Sequence, residues 1–281
     1  MEYKLNKRKI KGSRIAVEII MILFSAYMII PFLWMFSTSL RLPKDSFTLP
    51  PSILPTTFNL DSYIEVFNKV PYLNFYWNSL KIALLTALGV VVVSTTAAYA
   101  FARLKFPGRD LLFILMLAGI MVPAQVTIIP QFIMMSKVGW KDNHLALIIP
   151  AFFNPIAIFL TRQHMKGIPA SYEEAAFIDG AGYLRVFFSI IFPMSSGAVI
   201  VGAVLSFISS WNEFFRALIF LNTETKMTIP IGITLLRGTY GSGNLSTILA
   251  GVVLSMIASL IFYIFGQKYL IEGVTTGGIK G

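Results

Sequence analysis

Six stretches of the chain are almost free of charge: about 15–40, 76–102, 110–133, 144–163, 188–216 and 245–270. A helix that crosses the hydrocarbon core of a bilayer needs roughly 20 mainly apolar residues, and each stretch reaches that length. The link 41–75 is the longest and holds Pro43, Pro50, Pro51, Pro55 and Pro71, which forbid a continuous helix there. Within it, NLDSYIEVF predicts a short surface helix capped by Asn59 or Asp61. The pattern predicts an all-α integral membrane protein with six transmembrane helices. Pro31 is expected to kink the first span, and neighbouring helices can tolerate such a kink.

Composition agrees with that class. Only 13% of the 281 residues are charged and 56% are hydrophobic, against about 25% charged in soluble domains. The net charge of +10 could suggest nucleic acid, but its distribution argues for a membrane. Six of the first fourteen residues are basic, and an apolar run follows at once, the mark of a cytoplasmic N-terminus. That run is too long for the core of a cleaved signal peptide, and no small-residue cleavage motif follows it. Six spans then put both termini inside. Most of the Lys and Arg residues fall on that inner side, while Trp34, Trp77 and Trp140 fall near the outer interface. The organisation expected is a basic N-terminus 1–14, a six-span domain 15–270 and a C-terminal tail 271–281.

Most enzyme chemistry is missing. The chain has no cysteine and two histidines, His144 and His164, too few for a metal cluster. No phosphate-binding loop, H-E-x-x-H or G-x-S-x-G pattern occurs. The densest carboxylate group is Glu173, Glu174 and Asp179 in YEEAAFIDGAG. It has no histidine or ligand set beside it, as a catalytic site would need.

The inner link 164–187 that carries these carboxylates has its own local logic. Ser171 with Glu174 forms a capping-box pattern, in which the hydroxyl would take the Glu174 amide. Glu173 and Glu174 lie where the helix dipole favours anions. Ala175 and Ala176 keep the helix slim, and Gly180 is placed to end it in a left-handed turn. A short helix, a turn and a second helix outside the bilayer suggest a surface for a partner rather than a passive link. Whether Glu173 faces that partner or only water is open from the sequence.

These residues resemble the EAA loop of bacterial ABC importer permeases. That pattern reads E-A-A, three residues, G, nine residues, I, one residue, L-P. Glu174, Ala175, Ala176, Gly180, Ile190 and Pro193 match it, and Phe192 replaces Leu. Asp179, Gly180 and Ala181 supply the D-G-A of the sugar-importing branch. MVPAQVTIIP, FLTRQHMKGIP, SWNEFFRALIFL and GVTTGGIKG resemble further landmarks, so the likeness covers nearly the whole chain and is similar to the second permease of maltose-type importers. Arg216 departs from it, since an apolar or aromatic residue is more usual there. The resemblance implies a second homologous permease, two ATPase subunits and an extracytoplasmic sugar-binding protein. It also implies ATP and Mg²⁺ bound by the ATPases, and coupling through the EAA helix.

For the substrate path, SSWNEFFRA is the most polar stretch near a span end. Glu213 and Arg216 are i, i+3 neighbours that could pair, and Trp211 could offer a flat ring to a sugar beside Asn212. Gln125 and Asn154 are further polar candidates. The rival is that these residues anchor a helix end or, for Asn154, satisfy backbone groups freed by Pro155. A self-contained secondary transporter is the alternative function. It would call for buried ionisable residues in several spans and an internal repeat, and neither is evident.

Overall fold

The computed structural model describes residues 2–46, 54, 58–238 and 243–278, with side chains from 14 to 269 within those ranges. The expectations for the basic side chains of the N-terminal segment up to Lys11, for Pro50, Pro51 and Pro55, and for the tail 271–281 lie outside these described side chains. The helices in chain order are α1 (Glu2–Ser39), α2 (Asp61–Lys69), α3 (Tyr72–Arg103), α4 (Arg109–Ala118), α5 (Ala124–Lys137), α6 (Leu145–Ala151) and α7 (Pro155–Gly167). There follow α8 (Ser171–Ile178), α9 (Tyr183–Val186), α10 (Phe192–Met194), α11 (Ser196–Trp211), α12 (Phe215–Phe220), α13 (Ile229–Leu235) and α14 (Leu245–Gly278). No strand occurs among the described residues.

Four helical segments are long and apolar enough to cross a membrane unaided: Arg14–Ser39, Tyr72–Arg103, Leu145–Gly167 and Leu245–Tyr269. The other two expected spans are broken. Arg109–Met121 and Ala124–Lys137 meet at 103°, and Tyr183–Met194 and Ser196–Trp211 meet at 74°. Counting each bent pair as one span gives six. The first break follows from Pro123, because the residue before a proline avoids the helical region, and Val122 is extended. At the second, Phe187–Ile191 forms a π-turn and Pro193 follows, which has no amide to donate. The Ser195 amide then shares Ile191 O and Phe192 O. The expected kink at Pro31 does not interrupt α1, which runs unbroken through that proline.

The chain divides into two compact units, Met1–Val70 with Leu235–Leu254, and Pro71–Thr234 with Ser255–Gly281. In the first, polar side chains hold the segments together. Ser39 Oγ meets Tyr63 OH at 2.8 Å, and Ser46 Oγ meets Ser246 Oγ at 2.5 Å. Glu65 accepts from Thr247 and pairs with Lys69. Asn59 receives the Asp61 amide on its side chain, at 2.5 Å, just before α2. The side chains in the apolar window of α1 are exposed among the described residues.

In the second unit α3, α7 and α11 pack on one another. Small residues allow it: a Cβ on Gly202 would sit 3.2 Å from Ala157 Cβ, and one on Gly89 would overlap the Phe152 ring at 2.0 Å. Two apolar clusters occupy the two ends of α3. One gathers Ile82, Met135, Leu147, Phe220 and Ile231, and the other Ala98, Tyr99, Met165, Phe187 and Ile191. Ile82 and Ala98 are roughly 24 Å apart along the helix at 1.5 Å per residue.

At the Ile82 end, Asp142 organises the loops. Its carboxylate accepts from the amides of Asn222 and Thr223 and from the Thr223 hydroxyl, and it pairs with Lys226 at 3.0 Å. Asn74 and Asn78 both donate to Thr225 O, and His144 Nε2 meets Lys226 O. The Thr223 hydroxyl bond and the other donors hold the Asp142 carboxyl far below the usual carboxylate range.

Two expectations follow. A carboxylate with a depressed native pKa stabilises fully above its unfolded value, near pH 4, and loses that effect as pH falls through the native value. Asp142→Ala should therefore lower the thermal midpoint at pH 7 and lose its effect in strong acid. The loss at neutral pH should be about 1–2 kcal/mol, given net hydrogen-bond contributions near 1 kcal/mol each at a partly exposed site. Asp142→Asn should lose less, because Asn also tolerates the positive φ of 54° found here. Gly89→Ala should destabilise the purified protein and Phe152→Ala should restore it in the double variant, read as unfolding midpoints in detergent; simple additivity would mean the ring moves aside without cost.

Candidate functional site

The segment that drew attention in the sequence forms α8 and the turn after it. Gly180 has φ of 79°. Its amide bonds Phe177 O at 3.0 Å and the Ala181 amide bonds Ala176 O at 2.9 Å, the paired bonds of a Schellman turn. No side chain would clash at Gly180, so the glycine is required by conformation and not by space. The expected capping box does not form. The helix starts one residue earlier, with Ala170 as its cap, and Ala170 O already takes the Glu174 amide at 3.0 Å. Ser171 is left inside the first turn.

No residue of α8 is buried. Ala176 and Ala181 lean on the Tyr99–Phe187 cluster, as do Ile190 and the neighbouring Phe192. Glu174, Ala175 and Asp179 are exposed. Around them lie Tyr172, Phe177, Tyr183, Leu184 and Ile178, the last 86% exposed. Phe177 packs edge-on against Tyr183 across the turn, with centroids 5.1 Å apart. Exposed apolar side chains thus lie side by side with the acidic groups on this segment. Pro193 lies at the 74° bend that leads from this segment into α11.

Glu173 faces inward, and the sequence did not show this. Its carboxylate lies 3.6 Å from the Arg103 guanidinium, with both side chains only about a tenth exposed. Arg103 also donates to Met165 O at 2.5 Å and to Ile168 O at 2.6 Å. Burial pushes the Glu173 carboxyl above its usual value, and Arg103 pulls the other way without cancelling it. A second arginine braces the same end: Arg162 donates to Phe101 O, lies 3.8 Å over the Phe113 ring and faces Asp110 at 3.6 Å. The only sequence signal for either was a basic residue at a span end.

The polar stretch after α11 borders a cavity lined by Thr86, Asn154, Ser206, Ser210, Glu213 and Arg216, among others. Its free volume is about 70 Å³, below the roughly 300 Å³ at which ligand pockets begin, so in this conformation it has room for waters only. Asn154 accepts the Ala157 amide at the start of α7 and donates to Ser206 Oγ, both at 3.1 Å. Glu213 accepts the Arg216 backbone amide at 3.0 Å, while the guanidinium donates to Ala146 O at 3.1 Å. The expected Glu213–Arg216 side-chain pair is thus replaced by a cap on α12. Trp211 also departs from expectation. It is 2% exposed, packs against Tyr76 and Phe207, and donates its indole N–H to Ser255 O, so it has no free face for a sugar here. Asn212 is exposed and donates to Ile208 O. Gln125 is exposed just past the Pro123 break and does not join the cavity.

Comparison with known proteins agrees with this architecture. The family described as the binding-protein-dependent transport system inner membrane component matches residues 91–274. An arabinooligosaccharide transport system permease of Halalkalibacterium halodurans is 35% identical over 228 residues, which is 81% of each chain. The trehalose/maltose transport system permease of Thermococcus litoralis is 34% identical, over 95% of this chain and 97% of its own. A bacterial ABC transporter that imports the acidic polysaccharide alginate has a chain of the same fold, with TM-score 0.77 and 24% identity over 91% of this chain and 95% of that one. The chain belongs to the binding-protein-dependent transport system inner membrane components, in the company of permease subunits of sugar ABC transporters.

Proposed function

We propose that this chain is one of two homologous permeases of an ATP-driven sugar importer, and that α8 with its Schellman turn docks on a cytoplasmic ATPase. One observation carries the reading. The helix has no buried residue and yet is ended by a fully formed turn, so a rigid, uncovered apolar face is presented beside Glu174 and Asp179. A passive link between spans needs neither the rigidity nor the exposed Ile178 and Leu184. Both termini lie on the ATPase side in this reading. ATP and Mg²⁺ bind to the ATPase subunits, in keeping with the lack of a phosphate loop in this sequence. An extracytoplasmic binding protein delivers the sugar, and relatives named for arabinooligosaccharide and for trehalose/maltose transport point to an oligosaccharide or disaccharide.

The substrate path of this reading runs past the cavity of Asn154, Glu213 and Arg216. Its free volume of about 70 Å³ has to widen for a sugar to pass, as the spans move together with the partner permease.

The test is reconstitution with and without the ATPase. Uptake should require ATP and the ATPase, and uptake by this chain alone on an ion gradient would refute the reading. Gly180→Val should cut ATPase co-purification by about tenfold or more while the spans still insert, since a β-branched residue at positive φ costs on the order of 1–3 kcal/mol. Undiminished association would sink the docking role of the turn.

A further inference from the structure

We propose that Arg103, acting through Glu173, is the positioning residue that ties the motion of α8 to the spans. This rests on the reading of α8 as the ATPase-docking helix. The guanidinium joins three elements. It sits in the last turn of α3, donates to Met165 O and Ile168 O where α7 ends, and faces Glu173 in the first turn of α8. Beyond chain continuity, among the described residues α8 packs lightly, through Ala176 on the Tyr99–Phe187 cluster and Phe177 on Tyr183 of its turn. A push or pull on α8 therefore passes through the ion pair into α3 and α7, two of the three helices that pack most closely in this unit.

Stability does not account for the pair. At 3.6 Å it is beyond hydrogen-bonding distance, and neither Glu173 Oε1 nor Arg103 Nε has a hydrogen-bond partner among the described residues. Desolvation of two charges offsets much of their attraction, and an apolar pair of similar volume holds such a site as well or better. A charge pair adds something an apolar contact lacks: attraction that persists over a range of separations, so the link survives a shift of α8. The planar fork of arginine is needed as well, because Nη2 donates to both carbonyls while Nη1 faces the carboxylate, and a single ammonium cannot stand at both places.

The chain contains no cysteine, so spin labels can be placed freely. Leu73→Cys in α3 and Val138→Cys after α5 are both exposed and lie at the end of the unit away from α8. In the complete transporter, the distance between these labels should change on adding ATP with vanadate. Absence of that change in the otherwise unaltered complex would refute the ATP-coupled reading itself. Given the change, Glu173→Gln and Arg103→Ala should each reduce the ratio of shifted to unshifted molecules about tenfold with the ATPase still bound, a shift of one decade in the coupling equilibrium. The double variant should be no worse than Arg103→Ala, since two residues acting through one contact are not additive, and Arg103→Lys should remain defective. A normal response in Glu173→Gln, multiplied losses in the double variant, rescue by lysine, or loss of ATPase binding in Glu173→Gln would each overturn the proposal.

Discussion

Inside a bilayer a backbone amide or carbonyl without a partner costs several kcal/mol, and no water is there to supply one. This chain breaks its helices repeatedly, so every break has to be mended from within. Asn154 takes the Ala157 amide where α6 gives way to α7. Glu213 takes the Arg216 amide after α11 ends. Ser79 takes the Ile229 amide, and Asn78 binds Thr225 O and Met227 O, at the entry to α13. Much of the polarity within the apolar segments is thus spent on the backbone. That is why several residues that look like a substrate path in the sequence have local structural partners.

The same economy explains the two ends of the second unit. At one end Asp142 ties the loop of Asn222 and Thr223 to its own loop, with Asn74 and Asn78 of α3 holding the same segment. At the other, Arg103 and Arg162 close off the carbonyls where α3 and α7 finish. Between them the helices touch through small residues, since apolar lipid gives no hydrophobic reason for helices to associate and close packing must supply it. α8 stands outside the bundle, largely exposed, and touches it through the Glu173–Arg103 contact and Ala176.

The six apolar stretches, the surface helix after Asn59, and the glycine-ended helix at Gly180 were legible because each depends on local rules: length of apolar run, capping and backbone conformation. The bends at Pro123 and Pro193 were within reach of the same rules, but a proline in a span can kink or break it, and only neighbouring contacts decide which. Pro31 shows the other outcome, with α1 continuous through it. The capping box at Ser171 failed because the helix began at Ser171 itself, with Ala170 as its cap, a choice of one residue that local propensity does not resolve.

By itself the sequence determined the membrane class and the family, since these rest on composition, periodicity and a spaced motif. The tertiary structure alone decided the direction of individual side chains. Glu173 turned from a surface charge into a half-buried partner of Arg103, seventy residues away in the chain. Trp211 turned from an offered ring into core, and Glu213 from an ion-pair partner into a cap. The reason is physical: a side chain's neighbours across the bundle are set by helix packing, and no local pattern in the chain encodes which distant backbone end or charge will arrive beside it.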